Sequence, residues 1–213
     1  MSLVQTLKEN FSFLRYLEHE KLKSIRINGR VIDLGAKSED ERYFKYIQKD
    51  NIEKIDFCDI EPKSPRVIKL NLEQPFPVGE GIYDHVLYFN VLEHIYNYRN
   101  LVNESYRILK CGGEAHCIVP FMWKYHGDPD DFNRFTHTAL YRKFSEAGFL
   151  KVEVLPIGGG FWTLIASLFS QKVKIWWIKY LIIRLFLAVG SMEEKLVGKK
   201  SSYALAYIVR AIK

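Results

Sequence analysis

Apolar and polar positions change period along the chain, and the changes mark out its elements. Leu3, Leu7, Phe11, Leu14 and Leu17 recur every three or four residues, the stripe of an amphipathic helix over residues 3–23. Residues 30–34 form a short apolar run that ends at Gly35, the pattern of a buried strand. Ser38 and Glu41 have the spacing of a capping box. The serine accepts from a free N–H of the first turn and the glutamate reaches back, so a helix carrying Tyr43, Phe44 and Ile47 is expected next. Residues 54–57, 67–72, 83–89, 115–119, 151–155 and 203–212 read as further strands, and Pro62 forbids extension of the ladder beyond the second. Leu101, Val102, Ser105, Tyr106 and Leu109 predict a helix stopped by Cys111-Gly112-Gly113. Thr136 is placed to cap another, through Leu140, Phe144 and Ala147, that stops at Gly148.

Strands alternating with helices predict an α/β chain with a mostly parallel sheet covered on both faces. In such sheets ligands sit outside the carboxyl ends of the strands. Gly35, Asp59, Asn71 and Asn90 stand at the ends of the first four strands and are expected to share one crevice. The 213 residues suit a single domain: an N-terminal helix (1–27), a core (28–160), an insertion (161–202) and a final strand (203–213). Such a chain buries about 70% of its unfolded surface and needs no covalent staple. Cys58, Cys111 and Cys117 are too few and scattered for a disulfide framework and fit a reducing cytosol, with Cys111 and Cys117 expected as buried, inert thiols. No CxxC or HxxxH pair occurs, so no metal site is expected. The first residues lack a signal-peptide core, and no apolar stretch reaches the roughly 18 residues of a membrane span, so a cytoplasmic chain is expected.

Charge changes the picture of the C-terminal quarter. Residues 1–160 hold 22 Lys/Arg and 23 Asp/Glu, whereas residues 161–213 hold 9 and 2, so the net charge of +6 belongs to the last quarter. That distribution argues against a nucleic-acid footprint and for a local contact with something anionic. Residues 161–190 are strongly apolar, with Lys172, Lys174, Lys179 and Arg184 as their only charges and three of the four tryptophans. Lys172 and Lys179 fall on one helical stripe, and a helix apolar nearly all round must be covered. It either caps the substrate, forms a homodimer interface, or rests on an anionic membrane surface, where tryptophan and lysine are favoured.

The strand ends carry chemistry of their own. Gly35 lets the backbone approach a ligand closely, and a following helix N-terminus favours a carboxylate. Asp59, at the end of the next strand, suits vicinal ribose hydroxyls, and Asn71 offers a donor and an acceptor to an adenine edge. Together they describe a nucleoside joined to a small zwitterion. The nicotinamide fingerprint G-x-G-x-x-G fails, because Lys37 and Asp40 follow Gly35 at its later glycine positions, and no phosphate-binding P-loop occurs.

Asp33-Leu-Gly35, Asp59-Ile-Glu-Pro62, Tyr83-Asp-His-Val-Leu87, Val91-Leu-Glu-His94 and Leu109-Lys-Cys-Gly-Gly113, in this order, resemble the class I S-adenosylmethionine-dependent methyltransferases, nearest to the quinone-biosynthesis type. The loop from His126 to Thr136 is similar to the one after strand five in small relatives of that type. The resemblance covers roughly residues 28–160. It implies a Rossmann-like, doubly wound sheet in the order 3-2-1-4-5-7-6 with the last strand antiparallel and the apolar insertion between strands six and seven. It implies S-adenosyl-L-methionine as cofactor, with Asp33 among the cofactor-binding residues, Gly35 and Ala36 at the methionine moiety, Asp59 at the ribose, Ile60 on the adenine face, Asn71 and Leu72 at the adenine edge, and Asn90 at the amino group. Lys37 and Glu39 stand where the family's turn has its second and third glycines. Methyl transfer needs mainly proximity and alignment, and a base only for a protonated acceptor. His94, His126 and Asp131 are the candidate catalytic groups, and His126 and Arg134 the candidate contacts to a small or lipid-like acceptor.

Overall fold

The computed structural model of the chain describes residues 2–39, 42–197 and 203–213. Seven strands, β1 (Arg26–Leu34), β2 (Gln48–Asp59), β3 (Val67–Lys69), β4 (Tyr83–Phe89), β5 (Leu109–Pro120), β6 (Lys151–Ile157) and β7 (Ala206–Ile212), pair into one sheet in the order β3-β2-β1-β4-β5-β7-β6. β7 runs antiparallel to both of its neighbours, while β1 to β5 are mutually parallel. This is the order and the strand reversal that the sequence resemblance implies.

Among the described residues six α-helices surround the sheet: α1 (Leu3–Lys8), α2 (Phe13–Leu22), α3 (Tyr98–Ile108), α4 (His137–Glu146), α5 (Phe161–Lys172) and α6 (Trp176–Val197). Successive residues of a strand point to opposite faces, so each central strand feeds two cores. Ile32, Val86, Tyr88, Cys117 and Val209 pack under Leu101 of α3 and Leu140 and Phe144 of α4. Val31, Leu87, Ile118 and Ile208 face the other way, under Leu14 and Leu22 of α2 and Phe44 and Ile47 of the β1–β2 link. Phe144 is fully buried and stacks on Tyr88 at 6.4 Å, so truncation to alanine costs about 3–5 kcal/mol. Thr136 caps α4 as its sequence implies, accepting from the N–H of Ala139, and Gly148 ends it with φ +106°.

Several elements differ from their sequence pattern. The N-terminal stripe is two helices, broken at Asn10, which takes φ +61°. The capping box at Ser38 lies partly outside the described residues, and the helix expected after it is one turn of 3-10 helix, Arg42–Lys45. β2 claims the rest of that segment by pairing with β1 from Gln48 onward, although its first residues are exposed and polar. No helix lies between β2 and β4 either, so the expected strict alternation fails on this side. β3 stops at Lys69, leaving Asn71 and Leu72 in the loop beyond it. α3 passes directly into β5, which therefore contains Cys111-Gly112-Gly113; Cys111 is exposed, and only Cys58 and Cys117 are buried thiols.

The insertion is a helical hairpin. α5 and α6 bury Ala166 and Ile183 against Leu7 of α1 and Phe13 of α2. The chain leaves the helix between Lys172 and Trp176, so Lys172 and Lys179 do not share a stripe; Lys179 is buried, with Nζ 3.5 Å from Asn10 Oδ1. Among the described residues no helix is long and apolar enough to cross a membrane.

His19 of α2 is buried and stacks on Tyr46 at 4.1 Å. Burial, reinforced by Arg15 and Lys45, lowers its pKa to about 4. The unfolded chain therefore takes up this proton first, and the associated stability is lost as pH falls from about 6.5 toward 4. Urea unfolding at a series of pH values should show that decline, and His19→Phe, which preserves the ring stack, should flatten it.

Candidate active site

The turn after β1 places the first residues of the site. The N–H groups of Gly35 and Ala36 both donate to the carbonyl of Cys58, at 2.7 and 3.0 Å, which holds the ends of β1 and β2 side by side. Gly35 takes φ +91°, and a Cβ there would lie 2.4 Å from Val91 Cγ2, so only glycine fits. Lys37 is not among the described residues with positive φ, so a side chain at that former glycine position carries no left-handed strain. Its ammonium instead bridges to both carboxylate oxygens of Asp128 at 2.9 Å, tying the turn to the loop after β5.

Outside the strand ends lies a cavity of about 460 Å³, within the range of small-ligand sites. Gly35, Asp59, Ile60, Asn71, Leu72 and Asn90 line it, together with His94. Asp59 is nearly buried and accepts the Glu61 N–H at Oδ1 (2.8 Å), leaving Oδ2 for a ligand. Asn71 accepts the Glu73 N–H (2.9 Å), leaving its NH₂ as donor. Ile60 is half-exposed, an apolar surface on the cavity wall. The Asn90 amide, oriented to satisfy its neighbours, donates to Glu18 Oε1 (3.1 Å) and accepts from Arg15 Nη1 (3.0 Å). Burial pushes the Glu18 carboxyl up, and Arg15 opposes this.

Two expected cofactor residues do not reach the cavity. Asp33 is buried behind it and accepts from the Tyr43 hydroxyl, and Ala36 is fully buried. Both position the turn rather than line the hollow. Among the described residues none of α5 or α6 lines it. Sequence reasoning missed Lys37 and Asp128 as a closing pair, and Tyr96 and Phe132, whose exposed rings meet edge-on at 5.4 Å at the cavity wall.

The loop after β5 is pinned over the 3-10 turn Leu92–His94 by backbone bonds from Phe132 and Asn133 to the carbonyl of Glu93 (2.9 and 3.2 Å). Beneath it Glu93 is fully buried with both carboxylate oxygens lacking a hydrogen bond. The Nε2 atoms of His94 and His126 each lie 3.6 Å from Glu93 Oε1. His94 Nδ1 lies 2.5 Å from the carbonyl of Asp130; a carbonyl only accepts, so this nitrogen carries the proton. Asp131 and Arg134 form a two-pronged ion pair, and Asp131 also accepts the His126 N–H (2.9 Å). Arg134 holds the Asp131 carboxyl down at about 2. Neither lines the cavity: they anchor the loop that presents His126, a different placement from the base and acceptor contact expected of them. Glu93 had one legible signal, an acid beside His94 at a strand end, which reads equally as a helix opener.

Residues 37–117 match the family described as Methyltransferase domain. No curated protein matches the sequence. Among solved structures, the fold is similar to phosphoethanolamine N-methyltransferase 2 of Haemonchus contortus in complex with S-adenosyl-L-methionine (TM-score 0.56, 12% identity, 94% of this chain and 52% of that one). This chain therefore spans about half the length of that enzyme. It is also similar to a SAM-dependent methyltransferase of Archaeoglobus fulgidus (TM-score 0.56, 16% identity, 100% and 95% covered) and to one of Thermotoga maritima (TM-score 0.58, 17% identity, 98% and 92% covered). The sheet order and strand reversal are those of the S-adenosylmethionine-dependent methyltransferase fold that these structures share.

Glu93 raises the pKa of His126, against the opposing effect of burial. The pair's contribution to stability is full below the ordinary histidine value of 6.5 and is lost as pH rises through the raised one. In an NMR titration the His126 ring proton should titrate above 6.5, and Glu93→Gln should bring it down. A midpoint at or below that value in the unaltered protein contradicts the pairing.

Proposed function

We propose that this chain transfers a methyl group from S-adenosylmethionine to a small or lipid-like acceptor. One observation carries the reading: the ends of β1, β2 and β4 and the loop beyond β3 converge on a single cavity with a carboxylate, carboxamides and apolar wall where a nucleoside needs them. Asp59 would accept from the ribose hydroxyls, Ile60 and Leu72 would cover the adenine, and the Asn71 NH₂ would donate to its edge. Gly35 and Asn90 would face the methionine moiety through their backbone, since the Asn90 amide is already engaged by Glu18 and Arg15. Asp33 and Ala36 act one layer behind.

When bound, the cofactor supplies an activated methyl on a positively charged sulfur. The acceptor's lone pair forms the new bond to carbon as the carbon–sulfur bond breaks, and S-adenosylhomocysteine leaves. His94 lines the cavity and, with Glu93 and His126 behind it, forms a cluster able to take the acceptor's proton where the acceptor carries one. Asp131 and Arg134 position His126.

The α5–α6 hairpin fits an anionic membrane surface. Trp177, Leu181, Leu185 and Met192 are exposed at helical spacing on α6, and Leu168 and Phe169 on α5. Lys172, Lys174 and Arg184 are exposed beside them, and no acidic residue occurs from Phe161 to Met192. A two-fold dimer through this face would set like charges against one another, whereas anionic lipid neutralises them. Docking there would give the enzyme access to a lipid-like acceptor.

Calorimetry with S-adenosylhomocysteine should show binding near the micromolar range, and Asp59→Ala should weaken it about 10–100-fold with the circular dichroism spectrum unchanged. No binding at high ligand concentration would favour a non-catalytic role for the fold. In sedimentation with vesicles, the chain should follow phosphatidylglycerol but not phosphatidylcholine, and Leu181→Asp with Leu185→Asp should abolish this. A concentration-dependent dimer that ignores both vesicles overturns the membrane assignment.

A further inference from the structure

A second, larger cavity of about 630 Å³ lies on the sheet face that α2 covers only in part. The β1–β2 link crosses this face with a single 3-10 turn in place of a helix, so cover runs out beyond Lys21 and Ser24. Its floor carries His85, Glu114 and His116 on strands whose faces are ordinarily apolar in such sheets. His85 of β4 is the register partner of Glu114 of β5, and His116 lies two residues further along, on the same side as Glu114. His116 in turn is the register partner of Arg210.

Both histidines are more than nine-tenths buried, and each leaves a ring nitrogen without a hydrogen bond: Nδ1 of His85 and Nε2 of His116. His116 Nε2 lies 3.3 Å from Glu114 Oε2 yet lacks the alignment of a hydrogen bond. One ligand atom from each of the three residues lies within 4.8 Å of the others. Buried polar atoms left unpaired are destabilising, so packing alone does not explain their grouping. A cation between them pairs both ring nitrogens, with Glu114 beside them to balance its charge.

We propose that His85, Glu114 and His116 hold a divalent first-row transition metal ion, zinc foremost, at a site separate from the methyl-transfer cavity. Two imidazoles and a carboxylate are the donor set that zinc accepts, with a fourth position open toward the cavity for water or a small ligand. Arg210, which lines the same cavity, grips Glu114, with Nε 2.8 Å from Oε2 and Nη2 2.5 Å from Oε1. A carboxylate offers about four lone pairs, so this grip orients Glu114 without exhausting it, as an outer partner of a metal-bound carboxylate does. His85 stands five residues before Asn90, roughly 16 Å along the strand, so the ion would not touch the reacting methyl group.

The test uses the full chain stripped with chelator and titrated with Zn²⁺ by calorimetry, with Co²⁺ visible absorption as a second readout. One equivalent should bind, and should be lost in both His85→Gln and His116→Gln. Metal-free spectra and melting of each variant show whether it still folds. Glu93→Gln should retain the equivalent, and S-adenosylhomocysteine binding should survive both histidine substitutions. A stripped chain that takes up no zinc overturns the proposal, as does an equivalent that persists in both histidine variants or disappears in Glu93→Gln.

Discussion

Two N–H groups converging on one carbonyl oxygen hold the candidate site in register. Gly35 and Ala36 both donate to Cys58, so the chain leaving β1 is tied to the end of β2 before it can diverge. Val91 then occupies the space that a side chain at position 35 would fill, which brings the segment after β4 against the same turn. β4 is fixed to β5 by the N–H of Asn90 on the carbonyl of Ile118, at 2.7 Å. Asp59, Asn90 and His94 face one hollow because these few backbone contacts allow the strand ends no other spacing. An alanine at position 35 would strain φ and displace Val91 together, and about 1–3 kcal/mol of backbone strain is the smaller part of the damage.

The parts legible in the sequence were those set by local chemistry. Thr136 and Gly148 bound their helix because a hydroxyl cap and a left-handed stop act within one turn. The strand ends at Gly35 and Asn90 were legible because an apolar run meets a turn residue there. The Ser38–Glu41 pattern misled because pairing decides that segment. Once β2 is drawn alongside β1 from Gln48, too few residues remain for a helix. The polar composition of residues 48–54 hides the strand, which is exposed there and needs hydrogen bonds rather than burial. The site's loop was opaque for another reason. Asp131 and Arg134 look like chemistry in a list of residues, and only the fold reveals that they satisfy each other.

The missing helix and the added hairpin follow one constraint. An α/β sheet exposes two apolar faces, and each must be covered. Here the face toward α2 loses the usual crossover helix, and α1 and α2 are themselves backed by α5 and α6. The hairpin thus serves as a second layer, which accounts for its buried side and leaves the outward stripe of α6 unaccounted for by the fold. The +7 balance of residues 161–213 lies in the quarter of the chain that holds this stripe, which is why its partner is argued to be anionic rather than another copy.

Electrostatics also favour a cationic ligand in the smaller cavity. Asp59, Glu61, Glu73, Asp128 and Asp130 line it against the single ammonium of Lys37, in a chain whose overall charge is +6. Lys37 is committed to Asp128, and its pKa is raised by that pair, then opposed by burial. The remaining acids leave a negative hollow, and a negative hollow attracts a sulfonium more than the neutral sulfide left after its methyl has gone. The lysine at a position where the family's turn carries glycine then has a physical role. It trims the excess negative charge and anchors the loop after β5, while leaving the hollow net negative, as the proposed sulfonium cofactor requires.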